Sequence, residues 1–165
     1  MSQQDSGSQV SRPASAITQV EEGLPSGARR DVVVLRLPAA GAYLSVLRTA
    51  TAGLASRLDF TIDDIEDLRI AVDEACAMLL AQAVPGADLE CRFELTPGAL
   101  DVAVSVLTLD GQQPARDTFA WTVLTALAGE VDSSADADHR VTLTLHKRRE
   151  GHLPSGGTVS EAGLT

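Results

Sequence analysis

The stretch DFTIDDIEDLRIAVDEACAMLLAQAVPG, residues 59–86, constrains the fold more than any other part of the chain. Ile65, Leu68, Val72, Cys76, Leu79 and Ala83 recur every three or four residues, which puts them on one stripe of a helix. Thr61 stands where an N-cap belongs, and Asp63 and Asp64 fall in the first turn, where the helix dipole favours negative charge. Pro85-Gly86 stops the run. A helix with one apolar stripe needs a partner layer, and the flanking segments supply it.

DVVVLRLP is β-branched and apolar, and Pro38 cannot continue a ladder, so a strand ends near Leu37. From Ala39 to Leu58 the residues Tyr43, Leu44, Leu47, Leu54 and Leu58 recur at helical spacing, interrupted by Arg48 and Arg57. DLECRFELT alternates Leu89, Cys91, Phe93 and Leu95, and LDVAVSVLTL alternates Val102, Val104 and Val106; Pro97-Gly98 between them marks a hairpin. In TFAWTVLTALAGEV, Phe119, Val123, Leu127 and Val131 lie along a third helix or its edge. HRVTLTLHKR, with Val141, Leu143 and Leu145 on one side, is a final strand. The order β-α-α-β-β-α-(β)-β predicts an α+β two-layer sandwich, a mostly antiparallel sheet with helices on one face.

Residues 1–29 are rich in Ser, Gln, Gly and Pro with no sustained apolar period, and read as a disordered N-terminal tail. Residues 149–165 have the same character, which leaves 30–148 as the folded domain. The formal net charge of −10 argues against direct nucleic-acid binding and suits a basic protein partner. No run approaches the roughly 20 apolar residues that span a bilayer, and the start lacks a signal-peptide stretch, so the expectation is a cytoplasmic protein with no membrane contact. Cys76 and Cys91 are too few for a disulfide framework and lack metal-site spacing. They read as buried reduced thiols; a redox switch is the other reading, since a helix covering the sheet brings the two near each other.

The element order, with an acidic residue late in the second long helix, resembles the GHKL ATPase superfamily of gyrase, heat-shock chaperone and histidine-kinase ATPase domains. Within it, LRLPAAGAYLSVLRTATAGLASRLDFTIDDIEDLRIAVDEA, residues 35–75, is similar without a gap to the anti-sigma factor serine-kinase family. The shared pattern is a strand, an Arg-bearing helix, the Leu58-Asp59 turn and an acidic helix ending in V-x-E-A. Beyond residue 75 the agreement lies in element order more than in residues.

The resemblance implies a nucleotide site and shows where this chain departs from it. The family's catalytic Glu corresponds to Glu74, but the Asn four residues on, which ligates magnesium, is Met78. A thioether is a soft donor, whereas magnesium demands hard oxygens. Glu74 is therefore either a remaining base or a solvated helix carboxylate. The family's Asp-x-Gly-x-Gly loop leaves Asp110 and Gly111 as its remnant or as an ordinary turn, and its second glycine motif aligns with Thr118-Phe119-Ala120. Phe119 and Trp121 read as packing residues. ATP binding is expected to be weakened, and no resident metal is expected.

For the partner surface, the resemblance assigns Arg48 to the patch shared by the sigma factor and the antagonist that displaces it. Tyr43, Ser45 and the acids Asp63, Asp64, Glu66 and Asp67 either extend that patch or form a solvated face. The function implied is a homodimeric anti-sigma factor. It sequesters an alternative, stress- or development-type sigma factor and is released by partner switching with a STAS-domain anti-anti-sigma factor. The alternative is an active ATP-dependent serine protein kinase that phosphorylates that antagonist with Glu74 as base.

Overall fold

The computed structural model describes residues 30–151. The expected N-terminal tail, and residues 152–165 of the expected C-terminal one, lie outside the described residues. The elements in chain order are β1 (Asp31–Pro38), a short 3-10 turn (Gly41–Tyr43), α1 (Leu44–Arg57), α2 (Ile62–Leu80), β2 (Asp88–Thr96), β3 (Ala99–Leu107), α3 (Phe119–Ala128), β4 (Glu130–Ala135) and β5 (Arg140–Arg148). One sheet carries all five strands in the order β1-β2-β3-β5-β4, and every pairing is antiparallel. The α+β expectation holds, and the bracketed strand of the sequence reading is β4.

Register explains why the sheet has a dry face. Phe93 pairs with Val102, which pairs with Leu145; Cys91, Val104 and Leu143 form the next row, and Leu89, Val106 and Val141 the one after. All nine are buried, because a period of two sends every second side chain to the same face. Each such Leu, Val or Phe contributes about 1.5–3 kcal/mol on leaving water. The opposite face carries Arg36, Glu90, Arg92, Glu94, Asp101 and His146, none of them buried.

α2 lies over the sheet between α1 and α3. It buries Leu68, Val72, Cys76 and Leu79 of the expected stripe, and also Ala71 and Ala75, whose small side chains allow close approach to the sheet. The Thr61 hydroxyl accepts from the Asp64 N–H at 3.2 Å, which satisfies one of the orphan donors of the first turn. The Leu58-Asp59 turn places Asp59 at φ 57, a left-handed conformation that a short polar side chain tolerates.

Two helix boundaries and one helix face differ from the sequence reading. α1 begins at Leu44 rather than Ala39, because the Ala39 N–H is tied to the Ala87 carbonyl at 2.9 Å and holds the chain at the sheet end. α2 ends at Leu80, and Ala83 leaves the stripe to bridge Thr108, with the Val84 N–H on Leu107 O at 2.9 Å. Pro85 disfavours helix at Val84, and these sheet-like bonds replace the helical ones.

The third difference is the buried face of α3. It is Trp121, Leu124 and Ala128, while Phe119 is 84% exposed and Val131 belongs to β4. Phe119 is therefore not a packing residue. FAWTVLTALA is apolar on nearly every side, so two stripes compete, and the one bearing the large indole is turned inward.

No helix of the described residues is long and apolar enough to cross a membrane.

Candidate functional site

α1 and α2 pack side by side, and their packing decides what surrounds Arg48. Its Nε lies 2.8 Å from Asp73 Oδ2 and 3.1 Å from Asp73 Oδ1. The two side chains remain 44% and 30% exposed. Tyr43 and Ser45 are exposed at the start of the same helix. Beside them Ser45, Val46, Thr49 and Ala50 line a cleft of about 470 Å³ with Leu35 of β1. Tyr43, at the end of the 3-10 turn, and Ser45, in the first turn of α1, thus lie near Arg48 in the chain, with Ser45 on the β1 side of the helix and Arg48 on the α2 side. Asp73 was missed because it occupies the variable position of V-x-E-A, and nothing local to α2 says which face meets α1.

The acids of the α2 start divide between two faces. Asp63 and Glu66 are exposed, and Glu66 pairs with Arg69 one turn on. Asp64 is buried, which corrects its placement on a solvated face or partner patch. Lys147 Nζ lies 3.1 Å from Asp64 Oδ1 and 3.6 Å from Asp67 Oδ2, and donates to the Leu127 carbonyl at 3.0 Å. The Thr61 hydroxyl donates to Asp64 Oδ2 at 2.8 Å. Burial opposes ionisation of Asp64, but the hydrogen bonds from Thr61 and Lys147 and the charge of Lys147 outweigh it. Together they hold the carboxyl below its ordinary value.

The expected nucleotide residues do not form a comparable site. Glu74 and Met78 are both half-buried on α2, and Met78 packs against the core. Asp110 is exposed, and its Oδ1 accepts from the Gln112 N–H at 3.0 Å, closing a turn on itself. Gly111 has φ +70, its N–H donates to Thr108 Oγ1 at 2.9 Å, and a Cβ there would stand 3.2 Å from the His139 ring. Turn geometry and the nearness of His139 account for this glycine without a nucleotide. At the third element, the Thr118 hydroxyl accepts from the Trp121 N–H at 3.2 Å and caps α3, with Phe119 projecting into solvent. A magnesium nucleotide needs hard oxygens at position 78 and open backbone at 118–120; these residues offer a thioether and a phenyl ring, and do not fit it.

The segment after Asp110 is instead tied to the β4 side of the sheet. The Arg116 guanidinium stacks over the Trp121 ring at 4.9 Å and contacts Asp132 Oδ1 at 2.6 Å and Ser133 Oγ at 3.3 Å. Ser133 Oγ donates to Gln113 Oε1 at 2.7 Å. The Arg116 hydrogen bond holds the Asp132 carboxyl below its ordinary value.

Cys76 and Cys91 are buried, as the composition implied. Burial, and then the charge of Asp73, push the Cys76 thiol up to about 12; burial likewise pushes Cys91 up. The thiolate is the reactive form, so neither residue is poised for a redox switch at neutral pH.

No protein-family model matches the chain. Among curated proteins it is similar to the anti-sigma-F factor RsbW of Mycobacterium tuberculosis, 32% identical over 137 residues that cover 81% of this chain and 82% of that one. It is also similar to the serine-protein kinase RsbW of Bacillus pumilus, 31% identical over 139 residues, 79% of this chain and 83% of that one. The RsbW of Bacillus subtilis matches at 35% over 78 residues, 46% of this chain and 49% of its own. Among solved structures, the RsbU and RsbW domains of a Mycobacterium tuberculosis protein superpose with a TM-score of 0.57, covering 72% of this chain and 32% of that one. At 16% identity that likeness speaks for the fold alone, and it agrees with the GHKL-type sandwich. With roughly four-fifths of its length aligned at about 32% identity to named members, the chain belongs to the RsbW family of anti-sigma factors and serine-protein kinases.

Proposed function

We propose that the chain is an anti-sigma factor. It sequesters an alternative, stress- or development-type RNA polymerase sigma factor and releases it when a STAS-domain anti-anti-sigma factor takes the same surface. The observation that carries this reading is Arg48, which stands half-exposed on α1, paired with Asp73, where the family resemblance puts the arginine shared by both partners. A guanidinium fork grips a carboxylate in two parallel hydrogen bonds, and either partner can present that group. A net charge of −10 speeds encounter with a basic sigma factor and competes with DNA for it. Tyr43 and Ser45 extend the contact. The activity resides in residues 30–148 and operates in the cytoplasm, where RNA polymerase is.

The working form is a homodimer. β1 is an edge strand of the sheet, and Val32 and Val34 on it are 43% and 49% exposed. An apolar edge of this kind favours pairing with another chain, and a two-fold copy of itself is the self-complementary choice.

The test is direct binding of the full chain to purified sigma factors, with transcription as the second readout. Stable complex formation that is reversed by a STAS protein is the expected result. A chain that captures no sigma factor and leaves transcription unchanged defeats the proposal.

One observation favours the kinase reading: Glu74 is retained, half-buried on the same face of α2 as Met78. Incubation with labelled ATP, magnesium and a STAS protein separates the two readings. Phosphate transfer abolished by Glu74→Ala would establish catalysis; no transfer alongside tight sigma binding leaves sequestration alone.

A further inference from the structure

We propose that Asp73 is a positioning residue for partner recognition: it holds the Nε edge of Arg48 so that the Nη end of the fork faces a carboxylate on the partner. The inference rests on the anti-sigma reading above and names a second residue of the same surface.

The geometry is one-sided. Both oxygens of Asp73 lie on Nε, at 2.8 and 3.1 Å, and among the described residues neither Nη atom of Arg48 makes a hydrogen bond or ion pair. Of the five N–H donors of an arginine, Nε carries one and the Nη pair the other four. The pair therefore uses one donor and leaves the end-on fork in solvent, consistent with a side chain 44% exposed. A carboxylate that masked Arg48 would take the Nη side, where bidentate pairing is strongest.

Stability is a poor explanation for the pair. Ion pairs this exposed contribute little to folding, and α1 and α2 already pack together, with Leu47 and Ala55 of one and Leu68 and Val72 of the other in the buried core. Fixing the guanidinium plane has a different consequence. A long side chain held before binding loses less freedom on capture, so affinity rises without any new contact.

The experiment has two arms on the full chain. In the first, NMR relaxation of the Arg48 Nε–H is compared between wild type and Asp73→Ala; order in the wild type that is lost in the variant is expected. Equal mobility in both overturns the proposal, and this arm needs no partner. In the second, sigma-factor affinity is expected to fall about threefold in Asp73→Ala and less in Asp73→Asn, which keeps an oxygen for Nε. Asp73→Ala is expected to add no further loss on an Arg48→Ala background, with the melting temperature close to wild type throughout. Tighter binding by Asp73→Ala would make Asp73 a mask, and an equal loss on both backgrounds would make its role independent of Arg48; either overturns the proposal. If the wild type itself binds no sigma factor, the functional reading fails while the first arm still decides whether Asp73 orders Arg48.

Discussion

Lys147, at the end of β5, reaches Asp64 at the start of α2 across 3.1 Å, and in the same position donates to the last turn of α3 through the Leu127 carbonyl. One ammonium thus joins a strand and two helix ends: it neutralises the first-turn carboxylate of α2 and meets a C-terminal carbonyl of α3, where that helix's dipole rewards a cation. The pair is largely shielded, with Lys147 and Asp64 side chains 14% and 12% exposed.

Removing one partner of such a shielded pair strands the other. Asp64→Ala is expected to lower unfolding free energy by about 2 kcal/mol, read from urea denaturation. The pH dependence has a definite sign. The folded-state pKa of Asp64 is depressed, so its contribution is fully present above the ordinary carboxylate value of about 4 and is lost as pH falls through the folded value. Asp64→Asn should flatten that part of the acid limb. An acid limb unchanged by the substitution would show that Asp64 titrates alike in the folded and unfolded chain.

The two apolar stripes of α3 make opposite predictions. Leu124 is fully buried, so Leu124→Ala should cost about 3 kcal/mol, whereas exposed Phe119→Ala should change stability by less than about 0.5 kcal/mol. Chemical denaturation of the two variants side by side decides which face packs.

Arg116→Ala removes the cation from over the chain's single tryptophan. A loss of about 1 kcal/mol and altered Trp121 fluorescence are expected. An unchanged spectrum would mean the stacking is absent in solution.

With both thiols buried and raised, neither Cys76 nor Cys91 should react with a thiol reagent in the folded state at neutral pH. Labelling should track the rate of opening; rapid labelling of native protein would reopen the redox reading.

For the proposed dimer, Val34→Lys places a charge on the exposed face of β1. Sedimentation should then report a monomer with a folded-state spectrum unchanged from wild type.

Much of the architecture was legible in local periodicity. Leu89, Cys91, Phe93 and Leu95 announce a half-buried strand because side chains alternate whatever the neighbouring strand is. Thr61 announces a helix start because capping involves only the next three residues. Arg48 and Glu74 were legible as candidates through the ungapped resemblance around them. The strand order, with β5 inserted between β3 and β4, was not, since pairing partners are chosen by packing rather than by chain neighbours.

Three features were decided by tertiary structure alone. α3 is apolar nearly all round, so its sequence carries two stripes, and only the inward turn of Trp121 selects one. Asp64 reads locally as a dipole acid, and becomes a shielded ion-pair partner only when β5 carries Lys147 beside it. Arg48 and Asp73 stand 25 residues apart and meet only because α1 and α2 pack side by side. Periodicity records which side of an element avoids water; which element covers that side, and which charges meet at its rim, depends on contacts made after the chain has folded back on itself.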